Sequence, residues 1–290
     1  MSGAPTIRAA RSIQSDMPPL EDGGADSGQL WRRAQWDFVA GLRLWEMWSR
    51  LSWNEVRRRY RRTMLGPMWV TVSLLVFATV MSFVWATLWK QNVVEFLPFL
   101  LSGLIPWTMI SAAIGESCAT FLAGEGLMKS RQFPYSILVY GVLARNVVIF
   151  GHNLVAYLIV AVLCGVQLGF VTLLLVPSLL IVLVNCGWIC MLVAILCLRF
   201  RDFQQLVASV LQVSMFVTPV FWSASQLQGR RAIIVDANVL YHMIELMRRP
   251  LLGELPTLLS FAVCIATAIV GWAFALWLFA RKRHRLAYWF

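Results

Sequence analysis

The stretch MLGPMWVTVSLLVFATVMSFVWATLW, residues 64–89, contains no charged side chain and follows directly after the basic block RRRYRR at residues 57–62, with one residue between them. A helix needs about 20 apolar residues to cross the hydrocarbon core of a bilayer. Four further charge-free runs follow, and the longest of them has room for two helices with a turn near residues 165–169. The sequence therefore predicts six spans, near residues 64–89, 96–115, 140–163, 170–198, 206–222 and 255–280.

The composition also indicates a membrane protein. Apolar residues make up 59% of the chain and charged residues 13%, whereas soluble domains average about half and a quarter. Inside a bilayer only helices and closed barrels satisfy the backbone, and the runs lack the period-two alternation of barrel strands. The predicted fold is therefore an all-α polytopic membrane protein.

The net charge of +11 is distributed by side of the membrane rather than in one patch. With six spans, 20 of the 25 Lys and Arg residues lie on the side that carries the N-terminus. The positive-inside rule then predicts that both termini are cytoplasmic. This distribution argues against nucleic acid as a partner and favours orientation charges that also attract anionic lipids.

The segments outside the spans differ in composition. Residues 1–28 are rich in Gly, Pro, Ser and Asp and predict a disordered cytoplasmic tail. Residues 29–63 predict an amphipathic helix, over about residues 30–49, followed by a basic segment. Residues 64–280 predict the membrane domain. Residues 281–290 predict a cytoplasmic basic and aromatic tail.

The apolar residues of the amphipathic segment recur at helical spacing, as Phe38, Leu42, Trp45 and Trp48. Tryptophan on the apolar face suits a helix that lies in the plane of the membrane interface. An ordinary helix packed on a soluble partner is the alternative.

Residues 223–256 are predicted to lie outside and are too charged to span, yet they keep many apolar residues. Short amphipathic helices that re-enter the outer leaflet account for both properties. Glu245 precedes Arg248 and Arg249 by three and four residues, a spacing that favours ion pairs along one such helix.

Groups suited to catalysis are scarce. No predicted span contains a carboxylate or a lysine, which disfavours proton-coupled transport, and the scattered Cys and His residues suggest no metal site. The stretch GEGLMKS, residues 124–130, lacks the Gly directly before the Lys that a phosphate-binding loop requires. We expect no catalytic residue, metal or cofactor in this chain, so an ATP-driven activity would need a separate ATPase subunit. A membrane enzyme acting on lipid-linked sugars is the less favoured alternative.

Four blocks of sequence carry a family resemblance. They are RYRRTMLGPMW at residues 59–69; GLIPW at 103–107 with LMK at 127–129 and FP at 133–134; RD at 201–202 with TPV at 218–220; and Asn238, Glu245, Arg248 and LLG at 251–253. Together they resemble the membrane subunit of ABC-2-type exporters with the type V exporter fold, in the branch that exports capsule and O-antigen polysaccharide.

The resemblance implies an assembly and a cargo. Two copies of the chain would pair with two copies of a nucleotide-binding ATPase, which would hold the ATP and Mg. Lipid-linked polysaccharide would pass between the two permeases, from the cytoplasm across a bacterial inner membrane. Periplasmic export or copolymerase proteins are further partners that it implies, and an ABC-2 permease for a drug or lipid is the alternative.

Residue roles also follow from the resemblance. The segment 116–134 matches the region of the ATPase-coupling helix, with Gly124, Glu125, Gly126, Leu127, Met128, Lys129, Ser130, Arg131, Phe133 and Pro134 as candidate coupling residues. The interfacial segment matches a gate helix, with candidate lipid-head contacts at Trp45, Trp48, Arg58, Arg59, Tyr60, Arg61 and Arg62. The family pattern is broken at Asn54 and Glu55, where Arg-Asp is common, and at Val239, where Pro is common.

Aromatic side chains near the outer ends of spans 1 and 5 suit sugar rings, whose C–H faces stack on them. The candidates for a glycan path are Phe83, Trp85, Trp89, Phe216, Phe221 and Trp222. The alternative is an aromatic belt at the level of the lipid head groups.

Overall fold

The computed structural model describes residues 27–59, 64, 66, 68–129, 133–224, 232–286 and 288–290, and within these ranges the regular structure is entirely helical. The helices are α1 (Ser27–Arg43), α2 (Trp45–Arg59), α3 (Met68–Trp89), α4 (Val93–Ala123), α5 (Glu125–Lys129), α6 (Ser136–Leu163), α7 (Leu175–Arg199), α8 (Phe203–Val217), α9 (Ala232–Asp236), α10 (Val239–Leu251) and α11 (Leu258–Leu286). A short 3₁₀ turn, Phe170–Leu174, leads into α7. The predicted all-α membrane fold is confirmed at this level.

Five of the described helices are long and apolar enough to cross a bilayer: α3, α4, α6, α7 with its preceding turn, and α11. The predicted fifth span corresponds to α8, which has 15 residues. At 1.5 Å per residue α8 is about 22 Å long, shorter than the roughly 30 Å of hydrocarbon. It ends where Thr218 and Pro219 follow, and a sixth span therefore stays a prediction.

Helix α4 is the central element of the fold. It packs against α6, α7, α3 and α10, and buried residues continue along it from Phe96 to Phe121. The helix runs to Ala123, beyond the predicted span end at residue 115, because Ser117, Cys118 and Phe121 keep its buried face going. Glu116 is thus inside a helix rather than in a connecting loop.

The N-terminal segment forms two helices, and the prediction of one helix over residues 30–49 is wrong. The chain bends at Leu44, whose carbonyl accepts from both Met47 N and Trp48 N, and whose side chain is buried. The chain bends because α1 packs against both α11 and α6, whereas α2 packs against α6.

The buried face of α1 differs from the predicted apolar face. Phe38 packs edge-on against Trp272 and Phe279 of α11, whereas Leu42 and Trp45 are exposed. Gly41 lies so close to α6 that a Cβ atom at this position would overlap Ser136 Oγ. The exposed apolar residues remain available to a membrane interface, and that placement stays a prediction.

The predicted tail, residues 1–28, lies outside the described residues except for its last two residues, which begin α1. The region 223–256 contains two short helices, α9 and α10, in its described part. Their re-entry into the membrane is a prediction.

Candidate functional site

Five of the candidate coupling residues, Glu125–Lys129, form a short helix at one end of α4. Gly124 N–H donates to Thr120 O and Phe121 O and so closes α4, and the Gly124 carbonyl then accepts from Leu127 and Met128 to begin α5. Within α5, Met128 is fully buried, whereas Gly126 and Lys129 are exposed. One side chain therefore anchors the helix while its other face is open to a partner.

The exposed face of α5 carries one acidic and one basic side chain, which lie one helical turn apart. Lys129 forms an ion pair with Glu125, one turn earlier, and its ammonium lies 5.8 Å from the ring centre of Phe290. Phe133 is half-buried and Pro134 is buried at the start of α6. Ser130 and Arg131 lie outside the described residues.

Tyr135 connects α5 to the rest of the protein. Its hydroxyl donates to Met128 O at 3.0 Å, and its backbone N–H donates to Asp37 Oδ2 at 3.1 Å. Tyr135 therefore links α5 to the contact between α1 and α6.

Asp37 is the centre of that contact and is fully buried. It accepts from Ser136 N at 2.9 Å and from Arg283 Nε of α11 at 2.8 Å. Helix α6 has no capping hydrogen bond from its own flanking side chain, Tyr135. An aspartate from α1 caps it instead, where the helix dipole favours negative charge. We call Asp37, Tyr135, Ser136 and Arg283 the Asp37 cluster.

A second positive charge, on Arg33, lies beside the Asp37 cluster. The Arg283 guanidinium lies 4.8 Å from the Tyr135 ring centre, and Arg33 of α1 is near enough to respond to it. Partial burial and then the charge of Arg283 lower the pKa of Arg33. Asp37 is thus the acid that allows α1, α6 and α11 to meet.

A second charged group joins α2, α4 and α6. Arg145 is buried and forms ion pairs with Glu55 of α2 and Glu116 of α4. Its Nε and Nη2 both donate to Glu116 Oε2, at 2.9 and 2.6 Å, and Asn146 Nδ2 donates to the same oxygen at 3.1 Å. Glu55, at a position that breaks the family pattern, therefore joins α2 to α6 through Arg145.

This charged group borders a cavity of about 810 Å³, which Gly124 and Leu127 of the coupling segment also line. Arg58, from the candidate gate residues, lines it too. The structure therefore brings the end of α2 and the coupling segment together at one cavity.

The other candidate gate residues are more dispersed. Trp45 is exposed, whereas Trp48 is half-buried with its ring 6.4 Å from Tyr140. Arg59 is the last residue of α2. Tyr60, Arg61 and Arg62 lie outside the described residues.

The glycan-path candidates fall into two groups. Phe216 and Phe221 have ring centres 6.2 Å apart, and Trp222 Nε1 donates to Phe216 O at 3.2 Å. Trp85 and Trp89 are 4.8 Å apart and half-buried. Phe83 is exposed, so Phe83 and Phe216 present the most open rings of the six.

Parts of three blocks of the resemblance meet toward the opposite end of α4 from the coupling segment. Arg248 of α10 is buried, donates to Val220 O at 3.0 Å, and lies 4.6 Å from the ring centre of Phe99. A Cβ atom at Gly103 would overlap its guanidinium. Asn238 caps α10 and also donates to Thr218 Oγ1 at 2.9 Å.

This convergence of α4, the chain after α8, and α10 was not predicted. Sequence reasoning also missed Asp37, Glu116 and Arg145 as site residues. A signal for Asp37 exists in the sequence, since it shares one helical face with Ala34, Phe38 and Gly41, a position at which an acid needs a buried partner.

Of the five described helices able to cross a bilayer, α3, α6 and α7 pack against α4, and α11 packs against α7. They define a polytopic helical membrane protein. The model of the family described as ABC-2 type transporter matches residues 47–252. The chain therefore belongs to the ABC-2 type transporter family.

Relatives with established names cover much of the chain. It is 26% identical over 179 residues to the O-antigen export system permease protein RfbA of Myxococcus xanthus, covering 62% of this chain and 69% of that protein. It is 22% identical over 244 residues to a protein of the same name from Klebsiella pneumoniae, covering 81% of this chain and 91% of that protein. A second Klebsiella pneumoniae protein of that name is 22% identical over 243 residues.

Proposed function

We propose that this chain is the membrane subunit of an ATP-driven exporter of lipid-linked polysaccharide of the O-antigen or capsule type. The observation that carries the proposal is its similarity to O-antigen export permeases over 91% of the length of one such relative. Two copies of the chain would act with two copies of a separate ATPase, which supplies the ATP and Mg chemistry. The complex would lie in a bacterial inner membrane with both termini in the cytoplasm.

The geometry of α5 supports an ATPase partner. A helix of five residues with one buried anchor cannot hold its position alone, because isolated short helices are marginal in water. Here Met128 is packed and its carbonyl is bonded to Tyr135, so a push on the exposed face reaches the Asp37 cluster. We assign α5 and Tyr135 the transmission of the motor's movement to α1, α6 and α11.

The surface of α8 supports a polysaccharide path between two copies. Gln205, Ser209, Gln212 and Phe216 follow one another at spacings of four, three and four residues, and all four are exposed. Amide groups that face hydrocarbon are costly, so this face meets water or a second copy. Glutamine and serine can bond sugar hydroxyls, and Phe216 can stack on a ring.

The proposal also assigns the sixth span and the two helices that follow it. Helix α8 together with residues 218–222 would form the sixth span, and α9 and α10 would re-enter the outer leaflet. Arg248 and Asn238 would then fix α8's outer end, since both bond to the chain that follows it.

An in-cell experiment tests the function. Deletion of the gene should leave lipid-linked polysaccharide on the cytoplasmic side of the inner membrane, and expression of the chain should restore surface polysaccharide. Normal surface polysaccharide in the deletion strain, with a drug or lipid retained instead, would support the alternative cargo. A Gln205→Leu, Gln212→Leu variant should export less than a Val176→Leu control, which changes an exposed apolar residue of α7.

A further inference from the structure

An apolar groove of about 1220 Å³ lies beneath α2, on the side of the protomer formed by α6, α7 and α11. Its wall is built from aliphatic and aromatic side chains of these helices: Tyr140, Leu143, Ala144, Val147, Val148, Leu180, Leu183, Val184 and Trp272. None of its lining residues comes from α3 or α8. The groove is therefore separate from the surface proposed above for the glycan path.

One end of the groove is polar, because α2 contributes Ser49, Arg50 and Asn54 to its lining. The Arg50 guanidinium is half-exposed and pairs with Glu46 at 3.6 Å, one turn earlier. Trp48 also lines the groove, and its buried Nε1 has no hydrogen-bond partner within the described residues. A cation and the indole of Trp48 thus lie on the α2 side of an apolar cleft.

Fixed contacts hold the groove open. Ser52 Oγ donates to Gly141 O at 2.8 Å and ties α2 to α6. Trp272 Nε1 donates to Val184 O at 2.9 Å and ties α11 to α7. These two bonds fix the position of α2 relative to α6 and of α11 relative to α7.

We propose that this groove binds an anionic glycerophospholipid of the cytoplasmic leaflet. An acyl chain would lie between α6 and α7, and the phosphate and glycerol esters would lie beside Arg50 and the indole of Trp48. The open side of the groove would face the bilayer, where acyl chains are the solvent, and a basic and aromatic rim is the chemistry that retains anionic head groups. The bound lipid would fix α2 against α6 and thus hold Glu55 next to Arg145.

The occupant is a resident lipid rather than cargo, because none of the groove's lining residues comes from α3 or α8. A lipid held there also links the position of α2 to membrane composition. The inference stands without the proposed function, since it concerns binding by the chain in the absence of ATP and polysaccharide.

Native mass spectrometry of the delipidated full chain tests the proposal, with phosphatidylglycerol and phosphatidylcholine as probes. Val147→Trp fills the groove and should weaken phosphatidylglycerol binding by about tenfold or more. Arg50→Gln should reduce the preference for phosphatidylglycerol by about fivefold, and Arg50→Lys should retain it. Ile159→Trp, on the exposed face of the same helix, should change neither quantity.

Equal binding by the Val147→Trp and unaltered chains would overturn the proposal, as would an equal loss in Ile159→Trp. Tighter binding of undecaprenyl phosphate than of phosphatidylglycerol, abolished by Val147→Trp, would overturn the assignment of the occupant. If Val147→Trp fails to yield a monodisperse protein, Ala144→Leu narrows the same groove with a smaller side chain and gives the same expectation.

Discussion

Replacement of Asp37 by alanine should be among the most destabilising single changes in this chain. The carboxylate accepts from Tyr135 N, Ser136 N and Arg283 Nε at 2.8–3.1 Å. Removal of one member of a buried ion pair costs about 3–5 kcal/mol, since the other charge stays buried without its partner. The lost cap of α6 accounts for about 1–2 kcal/mol of the same change. We expect a total loss of about 3–5 kcal/mol, because the two effects share one carboxylate.

A double-mutant cycle separates the ion pair from the cap. Arg283→Met alone should cost about 1–3 kcal/mol, because Asp37 keeps its two backbone donors. The Asp37→Ala, Arg283→Met double variant should be more stable than the sum of the single losses predicts, by about 1–3 kcal/mol. Reversible unfolding in mixed micelles with rising SDS measures all three free energies.

Glu46→Ala provides the matched control. It removes an ion pair between the exposed residues Glu46 and Arg50, and such pairs contribute below about 1 kcal/mol. Additivity of the Asp37 and Arg283 losses within about 0.5 kcal/mol would refute the reasoning, as would an Asp37→Ala loss no larger than that of Glu46→Ala.

Three further predictions concern other parts of the chain. Gly103→Ala should lower the free energy of unfolding by about 1–3 kcal/mol in the same assay, because its Cβ meets the buried guanidinium of Arg248. Gly151→Ala is the control, since open space surrounds that position, and it should be neutral or stabilising. Equal effects of the two changes would contradict the described packing of Gly103 on Arg248. Replacement of residues 126–131 by a flexible linker should abolish polysaccharide export and the stimulation of the ATPase while the thermal midpoint of the membrane domain is kept; unchanged export would remove the coupling assignment. Deletion of residues 2–25 should leave export unaltered, and its loss would show that the tail has a role.

The class of fold was predictable because it depends on a property spread over many residues. Charge-free runs of 20 or more residues report membrane spans whatever their neighbours are, and the helices α3, α6, α7 and α11 begin and end within a few residues of the predicted spans, except that α11 continues past residue 280. The end of α4 was missed for a physical reason. A charged residue was read as the end of a span, yet Glu116 stays within the helix because Arg145 and Asn146 of α6 bond to it.

The site could be predicted only in part, since its residues are far apart in the sequence. The coupling segment was predicted by resemblance and stays a prediction; the structure adds that Glu125–Lys129 form a separate short helix within it. Asp37 and Arg283 are 246 positions apart, and periodicity within one helix cannot identify such a partner. The break at Leu44 was missed for the same reason, because the packing of α1 and α2 on different helices determines it.

The most direct test of the central claim is transport by purified components. Proteoliposomes that contain this chain and its ATPase should move lipid-linked polysaccharide, extracted from the deletion strain, across the bilayer in proportion to ATP hydrolysed. Vesicles with this chain alone should show neither ATP hydrolysis nor transport. ATP turnover by the purified chain alone, or polysaccharide movement that is equal with and without ATP, would contradict the account.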